Sequence, residues 1–221
     1  HDPILDYDQH LGLNNMHNTV VLWCLLLVFA PSVSVGGDVL QVFVSVLPQK
    51  MMVERIGGDQ VQVSAMVQPG HSPATYAPTL RQVAALAQAD LYVRIGVPFE
   101  DVWMPRIRAT NSDMPILDAR MGIRLRETDA HEENGAMHRQ GEAHDPHIWT
   151  SPLLVKVMGR KLRDKLTELA PGHRDLFADN YAAFAQELTV LDREIRGLLA
   201  HLQTRRFMVF HPSWGYFAKQ E

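Results

Sequence analysis

Three of the eleven histidines in this chain of 221 residues sit at turns beside regular elements, where an imidazole can be aimed. His71 follows Gln68-Pro69-Gly70, and His211 precedes Pro212-Ser213-Trp214. His147 stands inside Asp145-Pro146-His147-Ile148-Trp149-Thr150-Ser151-Pro152. Ser151 as N-cap and Pro152 at the first helical position open a helix there, so His147 is mounted on a short, stiff backbone. Neutral imidazoles are good ligands for zinc, and three or four N/O donors complete a tetrahedral or slightly larger site. A lone histidine is more often a cap or a satisfied core residue, and these three are distant in sequence. Spacing alone therefore leaves metal binding and structural histidines both open. No nucleophile elbow, Walker loop or dinucleotide fingerprint competes with the metal reading.

The elements that must position these residues alternate. Residues 40–47, 61–67, 90–95 and 114–118 read as strands, rich in β-branched residues or alternating in polarity. Helices are predicted from Pro48 to Ile56, stopped by Gly57-Gly58, over 80–88 behind a Thr79/Gln82 capping box, and over 99–109. Such alternation implies βαβ units, an α/β class and a mostly parallel sheet, whose ligands sit in loops at the carboxyl ends of strands. His71 lies in such a loop. Ser151 to Ala170 reads as one helix, broken by Pro171-Gly172, with Lys156, Arg160, Lys161, Arg163 and Lys165 as its solvated face. Phe177, Tyr181, Phe184, Leu188, Leu191, Ile195, Leu198 and Leu202 then form a heptad stripe on a longer helix over 173–202. That stripe suits either a dimeric coiled coil or one helix laid along globular lobes. Residues 206–210 read as a further strand running into His211.

Composition bounds the function. Hydrophobic residues at 46% and charged residues at 21% describe an ordinary globular protein, and a formal charge of −4 without a basic patch gives no support for nucleic-acid binding. The single cysteine, Cys24, excludes a disulfide framework. It lies in the apolar run 20–30, too short for a membrane span and suited to a signal-peptide core over 16–36 with Met16 as start, or to a buried strand. Residues 1–15 read as an upstream extension. Residues 124–147 lack apolar periodicity and carry Glu127, Asp129, His131, Glu132, Glu133, His138, Glu142 and His144, and the His-rich part over 127–144 reads as a solvated loop that can hold borderline metals loosely through His131, His138 and His144.

Val46-Leu47-Pro48-Gln49-Lys50, Gly57-Gly58-Asp59, Pro69-Gly70, Tyr76-Ala77-Pro78-Thr79, Ala89-Asp90-Leu91-Tyr92, Asp145-Pro146-His147-Ile148-Trp149 and Val209-Phe210-His211-Pro212-Ser213-Trp214-Gly215-Tyr216-Phe217 together resemble the zinc/manganese solute-binding proteins (cluster A-I) of metal ABC importers, from about Val39 to Glu221. The resemblance implies two α/β lobes joined by one long helix, with the metal in the cleft between them. It implies domains at 37–172 (the first lobe with the His-rich loop), 173–203 (the linker helix) and 204–221 (the beginning of a second lobe). It also implies that His147 and His211 are ligands. The family's first ligand falls at Ala74, so His71 in the same loop is the candidate substitute, the alternatives being completion by His144 or by water. The fourth family ligand, a late carboxylate, has no counterpart in this sequence, which implies a site of at most three protein ligands and a chain that is a fragment. The expected role is a periplasmic, exported receptor that delivers Zn2+, or alternatively Mn2+, to an ABC permease without catalysis. A zinc hydrolase and a metal buffer or adhesin without a permease are the rival readings.

Overall fold

The computed structural model describes residues 39–127, 144–204 and 206–220. The signal-peptide reading of 16–36 and the histidines His131 and His138 lie outside these residues. Four parallel strands, β1 (Leu40–Val44), β2 (Val61–Ala65), β3 (Leu91–Arg94) and β4 (Ile116–Asp118), form a sheet in the order β2-β1-β3-β4. Helices α1 (Leu47–Gly57), α2 (Leu80–Leu86) and α3 (Pro98–Thr110) make the crossovers. The predicted alternation is therefore what folds. It does so because β1 and β3 bury most of their side chains, Val42 to Val44 and Leu91 to Val93, as strands covered on both faces must. Thr79 accepts from the backbone N–H of Gln82, whose side chain returns to Thr79 N, so the expected capping box starts α2.

The chain leaves β1 in one direction to β2 and in the other to β3. The β1/β3 boundary is the switch point, where open parallel sheets hold ligands beyond their strand ends. Two polar side chains fix the backbone there. Gln49 accepts from Ser45 N (3.0 Å) and Val46 N (3.1 Å) and donates to the Val93 carbonyl (3.0 Å), joining the ends of β1 and β3. Glu100, in the first turn of α3 and wholly buried, accepts from Ser45, Arg94, Ile95 and Gly96.

Helix α4 (Pro152–Leu169) and the long helix α5 (Arg174–Leu199) pack with α1 on the sheet, and a 3-10 turn over Pro171–His173 joins them. Gly159 makes the close approach possible: a Cβ there would lie 3.3 Å from both Ile56 and Tyr181. Only the first half of the heptad stripe is buried. Phe177, Phe184 and Leu188 face the core, while Leu191 is 44% and Leu198 75% exposed. No coiled-coil partner is needed to explain the buried half, because α1 and α4 cover it.

One expected element does not form. Residues 206–210 carry no sheet pairing and are exposed, Phe210 fully so. A largely apolar run is only half of a strand. Its N–H and C=O groups also require a neighbouring strand, and the described residues offer none beside it. A short helix, α6 (Gly215–Gln220), follows His211 instead.

Candidate metal centre

The loops after β1, β2 and β3 wall a cleft of about 470 Å³. Val46, Pro48, Pro69, Pro73, Val97 and Pro98 give it an apolar lining, and His71, His147 and His211 all open onto it. The loop position of His71 follows from the sheet, since β2 ends at Ala65 and its loop must turn over the carboxyl edge. His147 is delivered by the stretch before α4. Ser151 caps that helix by accepting from Leu154 N (3.2 Å), and a 3-10 turn over Ile148–Thr150 buries Ile148. The Trp149 indole and the His147 ring meet edge-to-face, with centroids 5.2 Å apart.

Asp145 sets the chemistry of His147. Its carboxylate is buried, and Oδ1 accepts both His147 N (2.9 Å) and His147 Nδ1 (2.7 Å). A ring that donates from Nδ1 to a carboxylate presents the lone pair of Nε2 outward; this is the usual support of a metal-ligating histidine. Facing that nitrogen is His211 Nε2 at 3.2 Å, with the two rings near perpendicular at 78°. With neutral rings, His211 Nε2–H donates across this gap. Two ligands of a tetrahedral zinc at about 2.0–2.1 Å lie about 3.3–3.4 Å apart. The pair is therefore spaced to exchange one shared proton for one shared cation with little movement.

The third predicted ligand is less engaged. His71 lines the same cleft, but its Nδ1 lies 3.3 Å from the Pro69 carbonyl, and its ring sits edge-on to Tyr76 with centroids 5.6 Å apart. Among the described residues no three His, Cys, Asp or Glu side chains gather as a ready metal cage. His144 is not in the cleft either. It forms an isolated antiparallel bridge with Glu127, which clasps the two ends of the His-rich tract together.

Sequence reasoning overlooked Asp145, Arg126 and Tyr216 as parts of the centre. Tyr216 is buried; its hydroxyl accepts from Arg126 N (3.0 Å) and donates to the Asp145 carbonyl (3.0 Å). Burial pushes the Tyr216 phenol up, so it stays a neutral donor at physiological pH. An acidic residue two before the histidine was visible as a signal for Asp145. For Tyr216, one aromatic among several in 214–217, there was none.

The model of the family described as zinc-uptake complex component A, periplasmic (ZnuA), matches residues 42–220. A putative metal-binding protein of Chlamydia trachomatis is 27% identical over 202 residues, which is 90% of this chain and 69% of that protein. The high-affinity zinc uptake system protein ZnuA of Bacillus subtilis is 25% identical over 213 residues, covering 91% of this chain and 66% of that protein. A crystal structure of ZnuA superposes with a TM-score of 0.75 at 42% identity, covering 83% of this chain and 69% of that one. A zinc-bound deletion mutant of ZnuA superposes at 0.73 with 41% identity, covering 83% and 67%. The chain thus spans about two thirds of the length of these relatives. With a match that takes in every element from β1 to α6, this chain belongs to the ZnuA family of periplasmic zinc-uptake components.

Proposed function

We propose that this chain is the metal-capturing part of an extracytoplasmic receptor that binds Zn2+ in the cleft and passes it to an ABC permease. His147 and His211 are the primary ligands, and His71 joins them by a shift of its loop. The observation that carries the reading is the 3.2 Å approach of the two Nε2 atoms, with the Asp145 carboxylate behind His147. The zinc-bound ZnuA structure and the zinc-uptake role of the Bacillus relative support it. Among the described residues that line the cleft none is an Asp or Glu. Nitrogen donors in an oxygen-poor wall favour zinc over manganese, which prefers carboxylate, carbonyl and water. In a competition titration with both metals zinc is expected to occupy the site first; a tighter manganese complex would overturn the assignment.

Protons compete with zinc for imidazole, whose ordinary pKa is about 6.5. Affinity is therefore full above that value and is lost as pH falls through it. With two imidazole ligands the apparent dissociation constant is expected to rise below pH ~6 by up to about a hundredfold per unit. Zinc titrations at neutral and mildly acid pH check this, and a flat response would rule out a histidine-dominated site.

A further inference from the structure

The two histidines that face each other belong to segments far apart in the chain, so something must hold those segments in register. Four hydrogen bonds meet at that seam. The Tyr216 hydroxyl bridges Arg126 N and the Asp145 carbonyl, each at 3.0 Å. The Arg126 guanidinium donates through Nη1 to the Gly215 carbonyl at 2.8 Å, and Asp145 N donates to the Arg126 carbonyl at 2.9 Å. Gly215 lies so close that a Cβ there would come within 2.8 Å of Asp145 Oδ2 and 2.9 Å of Arg126 Nε. The start of α6 is thus seated on the same carboxylate that holds the His147 ring.

We propose that Tyr216 is a positioning residue for metal binding: its bridge between Arg126 and Asp145 fixes the His211 segment against His147 and so sets the separation of the two ligand nitrogens. This rests on the metal-binding reading above. Residues 206–210, immediately before His211, are exposed and carry no sheet pairing. On the C-terminal side of His211, Tyr216 is 4% exposed between half-buried Gly215 and Phe217, and the Phe217 ring meets that of Phe207 with centroids 6.4 Å apart. The Gln220 side chain, bonded to Ser151 and Asp192, pins the far end of α6. The bridge also ties the pair to Arg126, next to the Glu127–His144 clasp, so the base of the His-rich tract and the ligand pair share one junction.

The test compares the full chain with Tyr216→Phe, which keeps the ring and deletes the bridge, and with Gly215→Ala, which crowds the Asp145 carboxylate. Phe184→Leu, in the core between α1 and α5, serves as a control for stability alone. Zinc affinity is measured by chelator competition, and ligand geometry by the visible absorption of the cobalt-substituted protein. Tyr216→Phe is expected to weaken zinc binding by about tenfold, within the range for groups that orient metal ligands. Both junction variants are expected to alter the cobalt spectrum. Phe184→Leu is expected to lower the melting temperature yet leave affinity and spectrum as in the parent. If Tyr216→Phe binds zinc within twofold of the parent with an unchanged cobalt spectrum, the positioning role is wrong. The same holds if Phe184→Leu reproduces its loss. If the parent itself takes up no zinc, the metal-binding reading fails, and the proposal with it.

Discussion

His147→Ala is expected to weaken zinc binding by about a hundredfold to a thousandfold. Zinc sites built from four protein ligands bind with roughly 10–16 kcal/mol, which apportions about 2.5–4 kcal/mol to each donor. Each 1.4 kcal/mol or so is a factor of ten in affinity. Loss of His147 removes a donor whose orientation is already set, because Asp145 holds Nδ1 at 2.7 Å and Trp149 flanks the ring. The remaining Asp145 carboxylate would then be buried with neither ring nor metal beside it, and that adds to the loss. His71→Ala is expected to cost less, since the His71 ring must first leave the Pro69 carbonyl and Tyr76 to reach the pair. Calorimetric or chelator-competition titration of the three proteins ranks these effects. A His147→Ala variant that holds zinc as tightly as the parent would move the site elsewhere, with His144 and the acidic tract as the first place to look.

The parts of the fold that could be read from sequence are those written in local chemistry. Glycine and proline punctuation, the Thr79/Gln82 box and β-branched runs located the four paired strands and helices α1 to α5 to within a few residues. The parallel sheet then placed the loops at its carboxyl edge, so the neighbourhood of His71 and the cleft followed from topology. Residues 206–210 show where local chemistry stops. Arg206-Phe207-Met208-Val209-Phe210 has the composition of a strand, but pairing is a property of the neighbour, and among the described residues no strand stands beside it. His147 and His211 were legible as residues, each before an aromatic and a turn. Their 3.2 Å approach was not, because it depends on Tyr216 and Arg126 meeting across 90 positions of sequence. His71 shows the converse, a residue in the right loop whose ring turns to a local carbonyl. Glu100 was hidden more completely. One acid in the first turn of a helix reads as a favourable partner for the helix dipole, an exposed role worth tenths of a kcal/mol.

The burial of that acid makes Glu100→Ala the substitution with the largest expected effect on stability, about 3–5 kcal/mol. Both carboxylate oxygens are fully engaged: Oε1 accepts from Ser45 Oγ (2.5 Å) and Ile95 N (2.8 Å), and Oε2 from Gly96 N (2.8 Å) and Arg94 Nε (3.1 Å). Every donor stands at the end of β1 or β3, beside the switch point that floors the cleft. Alanine would strand two buried backbone donors and leave Arg94 with Asp118, at 3.8 Å, as its nearest carboxylate. Glu100→Gln keeps the volume but turns an NH2 toward donors, so an intermediate loss is expected. Asp118 gives a related acid limb. Burial pushes its carboxyl up, but the bonds from Arg120 outweigh this and hold it below its ordinary value. A carboxyl lowered on folding stabilises fully above its unfolded pKa, about 3.9, and loses that contribution as pH falls through the lower folded value. Urea unfolding of the parent, Glu100→Ala and Glu100→Gln at neutral pH is the measurement. For a domain of this size each kcal/mol moves the melting temperature by about 2–4 °C, so the alanine variant should melt roughly 10 °C lower. It should also bind zinc more weakly at temperatures where it remains folded, because the loops at 45–48 and 95–98 that wall the cleft lose their common anchor. A loss below about 1 kcal/mol would mean that water or the loops themselves satisfy those four donors, and that the cleft floor does not depend on Glu100.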